Sequence, residues 1–266
     1  SSDLVDTDAG SEIIKGVRLA IEDILADGEM LGRPVELLVR SGGNDFQDLR
    51  PTVQRLASNP RVTASLGHPQ PGVAVPASVI YEQSRTMFMP AFATSTELTR
   101  HGFRFVLRML PDDRVMTAQT ASVAALFGYR RVVVLHQVED DDRKTAYLFE
   151  DFARFFDIEV PFRASFFGAD SNYRHLINEF GGMAFDAIFL AADTEPGARM
   201  LRQLRELGIR TPVLGSHRLS LGPLQELSQE AGDLTVVPTV FSRESNNPLN
   251  RRFGADYSKV FGTAPH

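Results

Sequence analysis

Thr63-Ala64-Ser65-Leu66-Gly67-His68-Pro69-Gln70-Pro71-Gly72 and Thr86-Met87-Phe88-Met89-Pro90-Ala91-Phe92-Ala93-Thr94 carry the same pattern twice. In each, a short apolar run ends at a turn, and a segment able to form a helix follows. The runs at 62–66 and 86–89 read as strands, and 73–81 reads as a helix between them. Strand, helix, strand is the βαβ unit of a parallel sheet. In an open parallel sheet, ligands bind at the loops beyond the carboxyl ends of the strands. The turns at 67–72 and 90–94 are therefore the first candidate ligand loops.

Upstream, 11–27 reads as an amphipathic helix, with Ile13, Val17, Ala20, Ile21 and Ile24 at three- and four-residue spacing, Ser11 as N-cap, and Gly28 and Gly32 as breakers. A strand is expected at 35–39. Asp45 is placed to cap a helix whose stripe is Leu49, Val53 and Leu56, ended by Pro60. Downstream, another strand is expected at 103–107, and Asp112 and Asp113 open a helix that runs to Phe127. The pattern then repeats. Strands are expected at 131–135, 158–162, 187–190 and 212–214, alternating with helices at 145–156, 173–180 and 196–207. A loop at 215–218, a short helix at 224–227, a strand at 234–237 and a helix at 248–260 complete the chain. Two series of βαβ units argue for two similar α/β lobes. The chain is expected to cross from the first to the second near 117–122 and to return near 238–243.

The 266 residues are 43% hydrophobic, enough for a substantial core in one large or two smaller domains. With a net charge of -6 and no basic face, nucleic acid is not an expected partner. The absence of cysteine excludes disulfides, thiolate metal sites and cysteine nucleophiles. No apolar run reaches the ~18–20 residues of a membrane-spanning helix. A start at Ser1 suggests a processed or trimmed chain. Enzyme signatures are missing: there is no G-x-S-x-G elbow, Walker A, G-x-G-x-x-G or H-E-x-x-H. His68, His101, His136, His175 and His217 lack metal-ligand spacing, so neither a cofactor nor a metal is expected.

With both series placed, the chain resembles the type I periplasmic binding proteins, nearest to their branched-chain amino acid (Leu/Ile/Val) and amide-binding branch. Gly16-Val17-Arg18-Leu19-Ala20-Ile21-Glu22-Asp23-Ile24 and Leu31-Gly32-Arg33-Pro34-Val35-Glu36-Leu37 look like the family's first helix and second strand. Phe92-Ala93-Thr94-Ser95-Thr96-Glu97-Leu98-Thr99 matches its "sATspeLT" turn, and Arg108 with Asp112 its "R…psD" segment. Met200-Leu201-Arg202-Gln203-Leu204-Arg205-Glu206-Leu207-Gly208 matches the "llrqarelGl" segment; Val213-Leu214-Gly215 and Asn247-Pro248 also fall in order. The resemblance spans essentially the whole chain. It implies two Rossmann-like (flavodoxin-like) lobes with parallel sheets joined by a hinge: 1–118 as lobe 1, 119–240 as lobe 2, and 241–266 as a return to lobe 1. By the family's pattern, lobe 1 is incomplete at both chain ends.

The resemblance also places ligand contacts. In the first turn the family offers small hydroxyls and free N–H groups to a carboxylate, as a helix N-terminus suits an anion. Here that run holds Pro69, Gln70 and Pro71; proline has no N–H, leaving His68 and Gln70 as contacts, or a rigid turn without a ligand role. In the second turn Thr94 holds the position of a ligand-contacting hydroxyl and Phe92 that of an apolar wall; Thr94 equally suits a helix N-cap. The family's stacking Tyr falls at Asp141, within an acidic run that suits either a cationic group or a solvated helix start. Asp193 and Thr194 stand where the family has a ligand-facing Tyr, and Thr194 also suits a cap. His217 falls at the Glu that takes a ligand ammonium; with Arg218 it favours an anionic or polar group, or is simply exposed.

These exchanges argue against a standard branched-chain amino acid as ligand. The function implied is an extracytoplasmic solute-binding protein, periplasmic or extracellular and compatible with a lipoprotein anchor. It would act as a monomer, close its lobes on a small polar molecule and deliver it to an ABC transporter permease. The alternatives are a ligand-sensing or partner-binding regulatory module of the same fold and, with no catalytic motif behind it, an enzyme with flavodoxin-like lobes.

Overall fold

The computed structural model describes residues 8–26, 35–40, 45–68, 70–242 and 244–265. Its contacts divide the chain into two units, Ser1–Leu110 with Phe241–His266, and Pro111–Val240. The first boundary lies ahead of the expected 118/119, because the helix that opens the second unit packs along its length on that unit's next helix.

In unit 1, α1 (Asp8–Ala26) begins before the expected Ser11 cap; Gly28 and Gly32 lie outside the described residues. The expected strand at 35–39 is not formed. That stretch has no regular structure and no strand partner among the described residues, and Leu37, Leu38 and Val39 remain exposed. α2 (Phe46–Ala57) is capped as expected: the Asp45 carboxylate accepts from Gln47 N at 2.6 Å, and Leu49, Val53 and Ala57 are buried. β1 (Ala64–Gly67) pairs in parallel with β2 (Met87–Pro90) through the crossover α3 (Pro71–Ser84). α3 opens on proline, whose missing N–H has no partner to lose there. It closes on Arg85 in the left-handed region (φ 56). A short α4 (Glu97–Arg100) follows.

The expected strand at 103–107 reduces to a bridge between Phe88 and Val106. The Glu82 carboxylate accepts from Arg104 N and Phe105 N, at 3.0 and 2.8 Å, and so takes N–H groups that a ladder would use. Tyr81, Phe88 and Leu98 are the fully buried centre of this unit.

In unit 2, α5 (Asp113–Leu126) is capped by Asp112, which accepts from Val115 N at 2.9 Å. There follow β3 (Val132–Gln137), α6 (Asp140–Phe155), β4 (Arg163–Phe166), α7 (Arg174–Phe180), β5 (Ala187–Ala191), α8 (Thr194–Glu206), β6 (Val213–Gly215), α9 (Leu224–Ser228) and β7 (Thr235–Val236). β4 forms later than the expected 158–162. Pro161 has no N–H for a ladder, and of that stretch only Glu159 bridges, to Arg131. α6 starts well before the expected Thr145; its three-acid first turn is polar but suits the positive end of the helix dipole.

The sheet is parallel throughout, in the order β4-β3-β5-β6-β7. β3 and β5 are buried along their whole length, and Phe149 of α6 stacks on Phe189 of β5 with ring centroids 4.0 Å apart. Chain order reverses direction between β3 and β5. That is the topological switch point, where the loops leaving two neighbouring strands diverge and open a crevice. In unit 1, α10 (Pro248–Phe261), capped by Asn247 on Leu249 N at 2.9 Å, packs on α1.

Candidate functional site

At the switch point of unit 2 the loops that leave β3, β5 and β6 come together. Gln137, the last residue of β3, spans two of them. Its Oε1 accepts from Asp193 N at 2.5 Å, and its Nε2 donates to Glu139 at 3.3 Å. A Cβ at Gly168 would stand 2.5 Å from that Nε2, so the loop leaving β4 is fitted against the same amide. Asp193 is the N-cap residue of α8 but caps nothing with its side chain. Its carboxylate turns instead to Arg218, in the 3-10 turn His217–Ser220 after β6, and accepts from Nη2 at 2.5 Å. Thr194 donates its hydroxyl to the Arg218 carbonyl at 3.3 Å and does not cap the helix.

Arg218 is the centre of the cluster. Besides Asp193 it faces Asp142, with Nε 3.4 Å from Oδ1, and Asp141, with Nη1 3.8 Å from Oδ2. Burial works against its charge, yet Asp142, Asp193 and Asp141 outweigh that and raise its pKa. Asp142 is fully buried, and no donor within the described residues makes a hydrogen bond to either oxygen; the Arg218 Nε approach is close but poorly aligned. Burial pushes the Asp142 carboxyl up to about 7 against the pull of Arg218. Burial also raises Asp141. His217 lies 4.0 Å from Asp113, but burial, helped by Arg218, lowers its pKa to about 4. At neutral pH it is an uncharged imidazole, and that contact is not an ion pair. Among the described residues no three carboxylate or imidazole groups converge as a metal ion requires.

Unit 1 treats its loops differently. His68, left-handed at φ 52, turns inward; its Nε2 lies 3.4 Å from Tyr81 Oη, and its ring packs on Tyr81 and Phe88. Burial lowers it to about 4. Gln70 is exposed and starts α3 without a side-chain cap; Pro71 is the helix's first residue. Phe92 is half-buried and Thr94 buried. Ser95 Oγ accepts from Glu97 N at 3.3 Å, one residue ahead of Thr96, the N-cap residue of α4, which makes no side-chain cap bond. Arg108 pins the turn by donating to the Ser95 carbonyl at 2.5 Å.

Of the ten residues singled out in the sequence, Asp141, Asp193, Thr194, His217 and Arg218 thus assemble in unit 2. His68, Gln70, Pro71, Phe92 and Thr94 belong to the two turns of unit 1, where His68 is engaged with the core. Gln137 escaped the sequence reading; Asp142 entered it only as part of the acidic run 139–142, and Asp113 only as a helix start. Asp142 had a signal: it extends the buried stripe Thr145, Phe149, Ala153 back by one helical turn.

A family profile described as "Periplasmic binding protein" matches residues 5–266. The leucine-specific-binding protein of Salmonella typhimurium is 23% identical over 248 residues, covering 91% of this chain and 65% of that protein. The chain spans less than two thirds of the length of the curated relatives it matches. An ABC transporter substrate-binding protein of Desulfitobacterium hafniense, crystallised in complex with Leu, superposes with TM-score 0.84 at 23% identity, over 95% of this chain and 73% of that one. A solute-binding protein of an ABC transporter from R. palustris, in complex with benzoate, superposes with TM-score 0.83 at 14% identity, over 97% and 71%. The chain belongs to the periplasmic binding protein family and has the type I fold of its Leu/Ile/Val-binding relatives.

Proposed function

We propose that the protein is an extracytoplasmic solute-binding protein that captures one small polar molecule and delivers it to an ABC importer, acting as a monomer without catalysis. The observation that carries this reading is the assembly of Asp141, Asp193, Thr194, His217 and Arg218 at the switch point of a parallel sheet, in a chain of the periplasmic binding protein family. The turns of unit 1, with Thr94, Phe92 and Gln70, supply the second set of contacts. Ligand preference for the closed arrangement of the two units drives closure, as a population shift. The altered contacts argue for a ligand other than a standard branched-chain amino acid.

The test is a calorimetric thermal-shift screen of the full mature protein against amino acids, amides, ureas, carboxylates, aromatic acids and amines. A ligand at one hundred times its Kd adds about 2.7 kcal/mol of apparent stability. One class should raise the midpoint, and Thr94→Val and His217→Ala should each weaken that hit. A flat response across the panel turns the reading toward a partner-binding module. Unchanged affinity in both variants removes these residues from the site.

A further inference from the structure

We propose that the Asp141–Asp193–Arg218 cluster receives a cationic group, an alkylammonium or a guanidinium, so that the solute is a small organic base rather than an acid. The inference rests on the solute-binding reading above and names the ligand class for it.

Arg218 is the natural candidate for holding a ligand carboxylate, but its charge is already more than matched: it donates one side-chain hydrogen bond, to Asp193, and lies at ion-pair distance from Asp142 and Asp141. Nη2 holds Asp193 at 2.5 Å, Nε faces Asp142 at 3.4 Å and Nη1 faces Asp141 at 3.8 Å. Three carboxylates against one guanidinium leave the cluster two negative charges in excess, or one when Asp142 carries a proton. Neutral His217 does not offset this. An incoming carboxylate would have to expel Asp193 and add another like charge, whereas an ammonium meets acceptors. The Asp193 side chain is 50% exposed and that of Asp141 28%.

A second observation concerns the back of the cluster. Asp142 is fully buried against Arg218, yet neither of its oxygens receives a hydrogen bond within the described residues. A buried acceptor left without a donor is costly, and charged ones most of all. When a ligand cation takes over Asp193 and Asp141, the guanidinium is released from them and can turn its donors to Asp142. The ligand then completes the hydrogen bonding of a residue it never touches. No covalent step is involved.

The experiment is a calorimetric titration and thermal-shift series on the full chain with 1,4-diaminobutane, agmatine, leucine and benzoate, at low and at high salt. At least one of the two bases should bind and raise the midpoint, more weakly at high salt, while leucine and benzoate do not. Asp193→Asn and Asp141→Asn should each lose at least about tenfold in affinity for that base, with Asp193→Glu recovering part of it; an unchanged circular dichroism spectrum shows that each variant is folded. Binding of leucine or benzoate with both bases silent overturns the inference and leaves the solute-binding reading standing. Base binding that both Asn variants leave intact overturns the placement. A protein that none of the four probes stabilises, but that another compound of the wider screen does, also overturns it; silence across that whole screen sinks the solute-binding reading as well.

Discussion

The loops of the two units end strands of the same parallel kind, but they dispose of their polar groups in opposite ways. In unit 1 the loop after β1 folds His68 back against Tyr81 and Phe88, and Tyr81 also accepts the Ser65 hydroxyl at 3.0 Å. The imidazole is held neutral by apolar walls. In unit 2 the loops after β3, β5 and β6 gather four ionisable side chains into one cluster and match them against one another. The difference teaches that the same sheet edge can serve as packing or as a charged recognition surface. What decides is whether the loop residue can reach a partner of opposite charge on the next loop. Asp193 can, and turns away from its own helix to do so; among the described residues His68 meets the Tyr81 and Phe88 rings and the Tyr81 hydroxyl.

The contrast breaks most visibly at Arg218. Arg218→Ala strips the fully buried Asp142 of the cation paired with it among the described residues and should cost on the order of 3–5 kcal/mol near pH 8.5. Near pH 5 the loss should be clearly smaller, because the orphaned carboxyl takes up a proton. Calorimetric unfolding at the two pH values checks this; the chain has no Trp to report by fluorescence.

Asp142→Asn probes the same group more gently. Its native pKa of about 7 lies above the ordinary 3.8, so the folded state holds a proton that the unfolded chain releases. That stability is fully present below the ordinary value and falls as pH rises through the native one. The wild type should therefore lose on the order of 1 kcal/mol between about pH 6 and pH 8 relative to the Asn variant. Parallel stability curves for the two proteins would refute it. His217 and His68 act with the opposite sign. Each is lowered to about 4 by burial, so each withdraws stability as pH falls below the ordinary imidazole range, and wild type and variant share that slope.

In unit 1 the comparison is sharpened by Tyr81→Phe, which removes the phenol that Ser65 and His68 meet and keeps the ring. It should cost about 1 kcal/mol with little pH dependence, measured by denaturant unfolding. The smallest effect is expected for Thr194→Val. Losing the hydroxyl bond to the Arg218 carbonyl should remove ~0.5–1 kcal/mol from unit 2 and loosen the 3-10 turn, read as faster amide exchange at 217–220.

Much of this was legible in the sequence, for physical reasons. Buried strands such as β3 and β5 are continuous apolar runs, and helices such as α2 announce themselves by a capping Asp and a stripe at three- and four-residue spacing. The misreadings have local causes. Apolar residues at 158–162 suggested a strand, but Pro161 postpones pairing to Arg163. The run at 103–107 looked equally strand-like until Glu82, from a distant helix, claimed its N–H groups. At the site, loop positions could be read from topology, and five residues assembled accordingly. The pairing could not. Nothing near Arg218 in the chain says that Asp142, Asp193 and Asp141 will surround it, so a residue that looked like an anion receptor is matched by carboxylates instead. Asp142 itself was hidden because an aspartate in a run of four acidic residues reads as solvated surface.

The Gln137 amide, wedged between the loops leaving β3, β4 and β5, bears on how such a site can diversify. A Cβ at position 168 would press on the end of the Gln137 amide, and moving or shortening that side chain would disturb its bonds to Asp193 N and Glu139. The two positions are therefore coupled through that contact. Drift toward a new ligand is easier in the 3-10 turn after β6 and at the α6 start, where single exchanges leave that contact in place. Among relatives of this chain, Gln at 137 should travel with Gly at 168, while 141 and 217 vary with the ligand.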